Sequence, residues 1–145
     1  MKTCFWGTTN EKEFTLPVPK LFLMQPLNTY LSETQISVLH VAVNRIIPAD
    51  DFPGGWDAGV GDFYSLLFAR EPQFLPAYRQ GLDRIDAEVF LSADAAAQDD
   101  LLARSEGSFL DLLVSQTMEG FYADPGNGGN KDCISWKMIG YEVTA

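Results

Sequence analysis

A helix-spaced apolar run that starts near Ser108 is cut at Asp124-Pro125, and this break constrains the fold more than any other stretch. Proline has no backbone N–H to donate, and it pushes the residue before it out of helical angles. Gly126, Gly128 and Gly129, interleaved with Asn127 and followed by Asn130, then fill a turn before Trp136-Lys137-Met138-Ile139 restarts a helix. Glycine reaches positive φ at little cost, so the pattern predicts an ordered loop of one particular shape. Aromatic anchors stand on both sides of it, Phe121 and Tyr122 before, Trp136 and Tyr141 after.

Upstream, helical periodicity repeats between strong stop signals. Ser32-Glu33-Thr34-Gln35 has the form of a capping box, in which serine and glutamine satisfy each other's orphan N–H groups. Ile36, Leu39, Val43, Ile46 and Ile47 follow on one helical face, and Pro48 ends it. The stretch from Ala49 to Gly61 is a second punctuated loop, with Pro53-Gly54-Gly55-Trp56 at its centre. A helix over 58–70 carries Val60, Phe63, Tyr64 and Leu67, and another over 72–90 carries Phe74, Leu75, Tyr78, Leu82, Ile85 and Val89. Ser92 is expected to cap an alanine-rich helix reaching Arg104, and Ser108 to cap the last long one. No alternating run between hairpin turns suggests a strand. The expected fold is all-α: a compact array of about five helices with a Gly/Asn-rich C-terminal loop and a short terminal helix. Residues 1–30, interrupted by Pro17, Pro19 and Pro26, read as an extended N-terminal arm, and 31–145 as a single helical domain.

At 145 residues the chain can bury a real core. Its net charge of −10 argues against nucleic acid or an anionic membrane surface as partner. No apolar run reaches the length of a membrane span, and Lys2 is not followed by the apolar region of a signal peptide. Cys4 and Cys133 lie in no zinc or redox spacing; two free thiols is the plain reading, with pairing to each other or to another chain left open. His40 is the sole histidine, too few for a histidine metal site or catalytic dyad, and reads as structural. Asp50, Asp51 and Asp57 lack the calcium-loop pattern and read as turn and cap residues. Nucleophile-elbow and Walker motifs are missing, and no strand precedes Gly126-Asn127-Gly128-Gly129 to make it a dinucleotide loop. The expectation is a chain with no active site, cofactor or metal of its own, whose ordered loops and aromatic side chains suit docking. A free-standing small-molecule or carbohydrate-binding protein, with a pocket lined by Trp56, Tyr64, Tyr78 and Trp136, is the alternative.

Five motifs then occur in a recognisable order: Arg45-Ile46-Ile47-Pro48-Ala49-Asp50; Asp57-Ala58-Gly59-Val60 with Asp62-Phe63; Tyr78-Arg79-Gln80-Gly81-Leu82; Thr117 to Pro125; and Gly128-Gly129-Asn130 with Trp136 to Tyr141. Together they resemble the gluconate 2-dehydrogenase subunit 3 family over about residues 32–142. The resemblance implies a non-catalytic small (gamma) subunit of a bacterial sugar or sugar-acid dehydrogenase. Its large partner would hold FAD and belong to the glucose–methanol–choline oxidoreductase type, with a c-type cytochrome or another acceptor taking the electrons. The small subunit would support folding, stability or export of the large one. The family's usual location is periplasmic; this chain shows no twin-arginine signal, which leaves the cytoplasm open. The expected partner interface comprises Trp56, Phe121, Tyr122, Asn127, Asn130, Cys133, Trp136, Lys137 and Tyr141.

Overall fold

A computed structural model describes residues 25–105 and 107–140. Most of the proposed arm therefore lies outside the described residues, and so does Tyr141. Residues 25–31 enter through a 3₁₀ turn at Leu27–Thr29 and bury Leu31. The guanidinium of Arg79 clamps this segment, donating from Nε and Nη2 to the Tyr30 carbonyl at 2.9 and 2.7 Å.

Seven α-helices follow among the described residues, and no strand: α1 Glu33–Ile46, α2 Gly61–Arg70, α3 Leu75–Asp83, α4 Ala87–Ser92, α5 Ala95–Ala103, α6 Gly107–Tyr122 and α7 Ile134–Met138. The all-α expectation holds. The capping box at Ser32 forms as expected, with Gln35 N–H on Ser32 Oγ at 3.1 Å and Ser32 N–H on Gln35 Oε1 at 2.8 Å. α1 is the organising helix, touching α3, α4, α5 and α6. Two polar ties fix its ends. Gln35 Nε2 donates to Asp83 Oδ1 at 2.9 Å, and Arg45 grips both carboxylate oxygens of Asp99 at 2.8 and 3.0 Å.

α2 is apolar almost all round, and Phe63, Tyr64, Leu66, Leu67 and Phe68 are all buried. A helix with that pattern belongs in the interior. Each such side chain contributes roughly 1.5–3 kcal/mol when withdrawn from water. Tyr64 and Tyr78 are fully buried, and their hydroxyls join a chain of hydrogen bonds. Tyr78 Oη reaches Gln116 Oε1 at 2.7 Å and Tyr64 Oη at 3.1 Å, while Tyr64 Oη lies 2.8 Å from Thr117 Oγ1. Burial, the dominant effect, pushes the Tyr64 phenol up to about 12 and raises Tyr78 further. Both stay neutral in the folded core.

Three helix boundaries differ from the sequence reading. The single helix expected over 72–90 is two, broken at Arg84 to Asp86, because the Asp86 side chain caps a new start by accepting from Val89 N–H. The next helix is capped by Asp94, which accepts from Ala97 N–H at 2.9 Å. Ser92 instead closes α4, its hydroxyl donating back to the Glu88 carbonyl at 2.8 Å. Ser108 sits inside the first turn of α6, which starts at Gly107.

Candidate functional site

The residues singled out by sequence converge on one end of the helical array, where the C-terminal loop meets the start of α2 and the end of α6. Trp56 to Val60 form a π-turn leading into α2, closed by the Val60 N–H on the Gly55 carbonyl at 3.1 Å. The Asn44 side chain on α1 accepts from the Trp56 backbone N–H at 3.0 Å. The Trp56 indole stacks on the exposed His40 ring, with centroids 4.6 Å apart and planes 15° apart, and also covers Gly61. His40 is thus a stacking partner.

The loop after α6 solves a backbone problem. The last carbonyls of a helix have no partner within it. Asn130 Nδ2 donates to the Ala123 carbonyl at 2.8 Å, and Trp136 Nε1 to the Tyr122 carbonyl at 2.9 Å. The Asn130 side-chain oxygen Oδ1 then accepts from both Ser135 N–H (2.9 Å) and Ser135 Oγ–H (2.7 Å), which holds the first turn of α7. Asp124 Oδ1 accepts from Gly126 N–H at 2.7 Å and tightens the turn at Pro125–Asn127.

Glycine is used here more selectively than the sequence suggested. Gly128 does take positive φ (102°), but Gly129 is needed for space, since a Cβ there would collide with the Gly120 carbonyl oxygen. The left-handed backbone falls instead on Asn130 (φ 51°), Asp132 (55°) and Cys133 (57°). Non-glycine residues hold that conformation only when their surroundings impose it. Here Lys131, between them, forms a 3.3 Å ion pair with Asp62 and lays its stem across Gly59.

The candidate interface residues therefore divide. Phe121, Asn130 and Cys133 are buried within the chain, with Phe121 set edge-on to Tyr122 at 4.9 Å between centroids. Trp56, Tyr122 and Trp136 are half-buried, and Lys137 is exposed. Asn127 ends the Pro125–Asn127 turn, and its side chain lies outside the description, as does Tyr141. Cys133 is disulfide-bonded, which corrects its reading as a free thiol. Cys4, the other cysteine of the sequence, is outside the described residues. Ile139, just beyond α7, is 61% exposed. Its position is past the point where helical spacing indicates a face.

The alternative pocket does not assemble from the residues expected to line it. Tyr64 and Tyr78 are core, and their hydroxyls are engaged inside the molecule. Asp50 closes a small turn by accepting from Phe52 N–H at 2.9 Å. Among the described residues, no group of three or more His, Cys, Asp or Glu is placed to hold a metal ion, and no helix is long and apolar enough to cross a membrane.

What these residues define is a helical protein whose aromatic and amide side chains mainly build an ordered terminal loop. The family model for gluconate 2-dehydrogenase subunit 3 matches residues 33–142, and the chain belongs to that family. No curated protein and no solved structure matches it.

Proposed function

We propose that this chain is the non-catalytic small subunit of a dehydrogenase complex that oxidises a sugar or sugar acid. The observation that carries the reading is the family match, which spans α1 to the end of the terminal loop. The large partner is the catalytic subunit, an FAD protein of the glucose–methanol–choline oxidoreductase type, and a c-type cytochrome or other acceptor takes its electrons. The small subunit holds no flavin itself; it supports folding, stability or export of the large one.

The docking surface in this reading is the loop end, and the geometry narrows which side chains reach a partner. Half-buried Trp56, Tyr122 and Trp136, with exposed Lys137 and Ile139, are available; Phe121 and Asn130 shape the surface from beneath. Aromatic side chains combined with a peripheral charge suit an interface centre and its rim. The disulfide at Cys133 supports a periplasmic location, because such bonds persist in oxidising compartments.

The test uses Ile139→Asp and Lys137→Glu, two exposed positions at which the fold should survive. Both are expected to reduce the amount of flavin-bearing large subunit that co-purifies, with helix content unchanged. Full recovery of the large subunit with both folded variants would remove this surface from the interface.

A further inference from the structure

We propose that the disulfide at Cys133 is closed by Cys4 of the same chain, so that the residues beside Cys4 complete the docking face at the loop end. Cys133 is disulfide-bonded, and the other cysteine of the chain is Cys4. Cys133 is also only 6% exposed. A disulfide needs its two Cα atoms within about 7 Å of each other. A cysteine of a second copy or of a larger subunit would have to enter a place this chain already covers. A segment of the same chain reaches it by folding.

The backbone around Cys133 points the same way. Asn130, Asp132 and Cys133 hold positive φ, 57° at Cys133 itself. Non-glycine residues keep such angles only where several constraints act together. Asn130 is fixed by its hydrogen bonds to Ala123 and Ser135, and Lys131 by its ion pair with Asp62. The covalent bond at Cys133 supplies the next constraint along the loop.

Chain length permits the tie. The described chain enters at Gln25, and Arg79 fixes that entry through the Tyr30 carbonyl. Residues 5–24 bridge the interval, and a chain of that length reaches up to about 70 Å. A domain of this size is only about 40 Å across. Forming the bond takes one hydrogen from each thiol and passes two electrons to a disulfide-bearing oxidant, which leaves as a dithiol. The tie is therefore made in an oxidising compartment.

Phe5 and Trp6 follow Cys4 directly. Two further residues extend the reach across the disulfide to about 13 Å, which bounds the distance from the Trp6 Cα to that of Cys133. α7 starts at the residue after Cys133 and is about 8 Å long. The tie thus delivers two aromatic side chains beside half-buried Trp136 and exposed Ile139. Buried aromatic anchors are what a protein interface centre uses most. Their part in docking rests on the loop-end reading above; the Cys4–Cys133 bond does not.

The experiment is peptide mapping of the complex, purified from its native host through a C-terminal tag, alkylated before unfolding and digested without reduction. The expected product is a Cys4 peptide joined to a Cys133 peptide, from a chain that runs as a monomer on a non-reducing gel. Reduction should replace it with the two separate peptides, heavier together by two hydrogen atoms. Two alkylated cysteines, a covalent dimer, or a bond from Cys133 to a larger subunit overturns the proposal. Cys4→Ser is expected to lose amide protection at 131–139 while α1 keeps it, and retained protection there counts against the tie. Should that variant fail to accumulate, the peptide map decides alone. Trp6→Ala, with its disulfide verified by the same map, is expected to lose large subunit on co-purification. Full recovery overturns the place of Trp6 in the face, whereas full recovery with Lys137→Glu and Ile139→Asp removes the loop end itself.

Discussion

Asn130 accepts two hydrogen bonds from Ser135 through its side-chain oxygen Oδ1, from the backbone N–H at 2.9 Å and the hydroxyl at 2.7 Å, and both residues are completely buried. Its amide nitrogen meanwhile completes the end of α6. One side chain thus joins the two helices flanking the loop. Asn130→Ala is expected to lower stability by about 2–4 kcal/mol, because it leaves buried donors and an acceptor unpaired. Urea denaturation followed by circular dichroism measures this, and a change below about 0.5 kcal/mol, the usual effect of a surface substitution, would contradict the tie.

Gly129 makes the closest backbone approach of the loop, against Gly120 on α6. Gly129→Ala would drive a methyl group into a main-chain carbonyl, which no side-chain rotation relieves. The expected outcome is a loop detached from α6 and about 3 kcal/mol or more of lost stability, beyond ordinary overpacking. Faster amide exchange at Ser135 and Trp136 would register the detachment. Gly107→Ala is the control, since nothing lies within 4 Å of a Cβ there.

The paired tyrosines give the fold an alkaline limit. Burial raises Tyr64 from 10.0 to about 12 and Tyr78 in the same direction, so the folded state holds these protons more tightly than the unfolded chain. That contribution is complete below pH 10 and is lost as pH rises through 12. Denaturation at a series of pH values should show a stability plateau below that window and a decline within it. Tyr64→Phe should make the decline shallower while lowering the plateau by about 1–3 kcal/mol, the effect of disturbing a buried hydrogen-bond chain. An unchanged slope in Tyr64→Phe would rule out its role.

Arg45 and Asp99 act at the opposite limit. The hydrogen bonds from Arg45 hold the Asp99 carboxyl below its ordinary 3.8. A lowered carboxylate supports the fold fully above that ordinary value and loses its effect as pH falls through the folded one. Asp99→Asn is therefore expected to destabilise slightly at neutral pH and to flatten the acid limb of the stability profile. The effect stays small because the pair faces solvent.

Much of this architecture was legible in the chain because local chemistry decides it. The capping box at Ser32 was readable since its partners lie three residues apart. The break at Pro125 was readable because proline forbids continuation. The start of α4 was missed because Asp86 interrupts an unbroken apolar periodicity, and periodicity does not register a cap within its own run. The loop's position was evident, yet its direction was not. Asn130 and Phe121 look like docking residues in a list of unusual side chains, whereas their partners, Ala123, Ser135 and Tyr122, are fixed only once the loop folds back on α6. The Lys131–Asp62 pair arises between elements distant in sequence, where spacing carries no signal.

The most direct measurement of the subunit role is purification of a tagged copy from its native host, with the co-purifying chain sized by mass spectrometry and the complex examined by visible spectroscopy. The account predicts a stoichiometric larger dehydrogenase subunit carrying flavin absorbance, lost from the preparation when Lys137 and Ile139 are replaced together. A colourless, stably folded monomer obtained under the same mild conditions would contradict it.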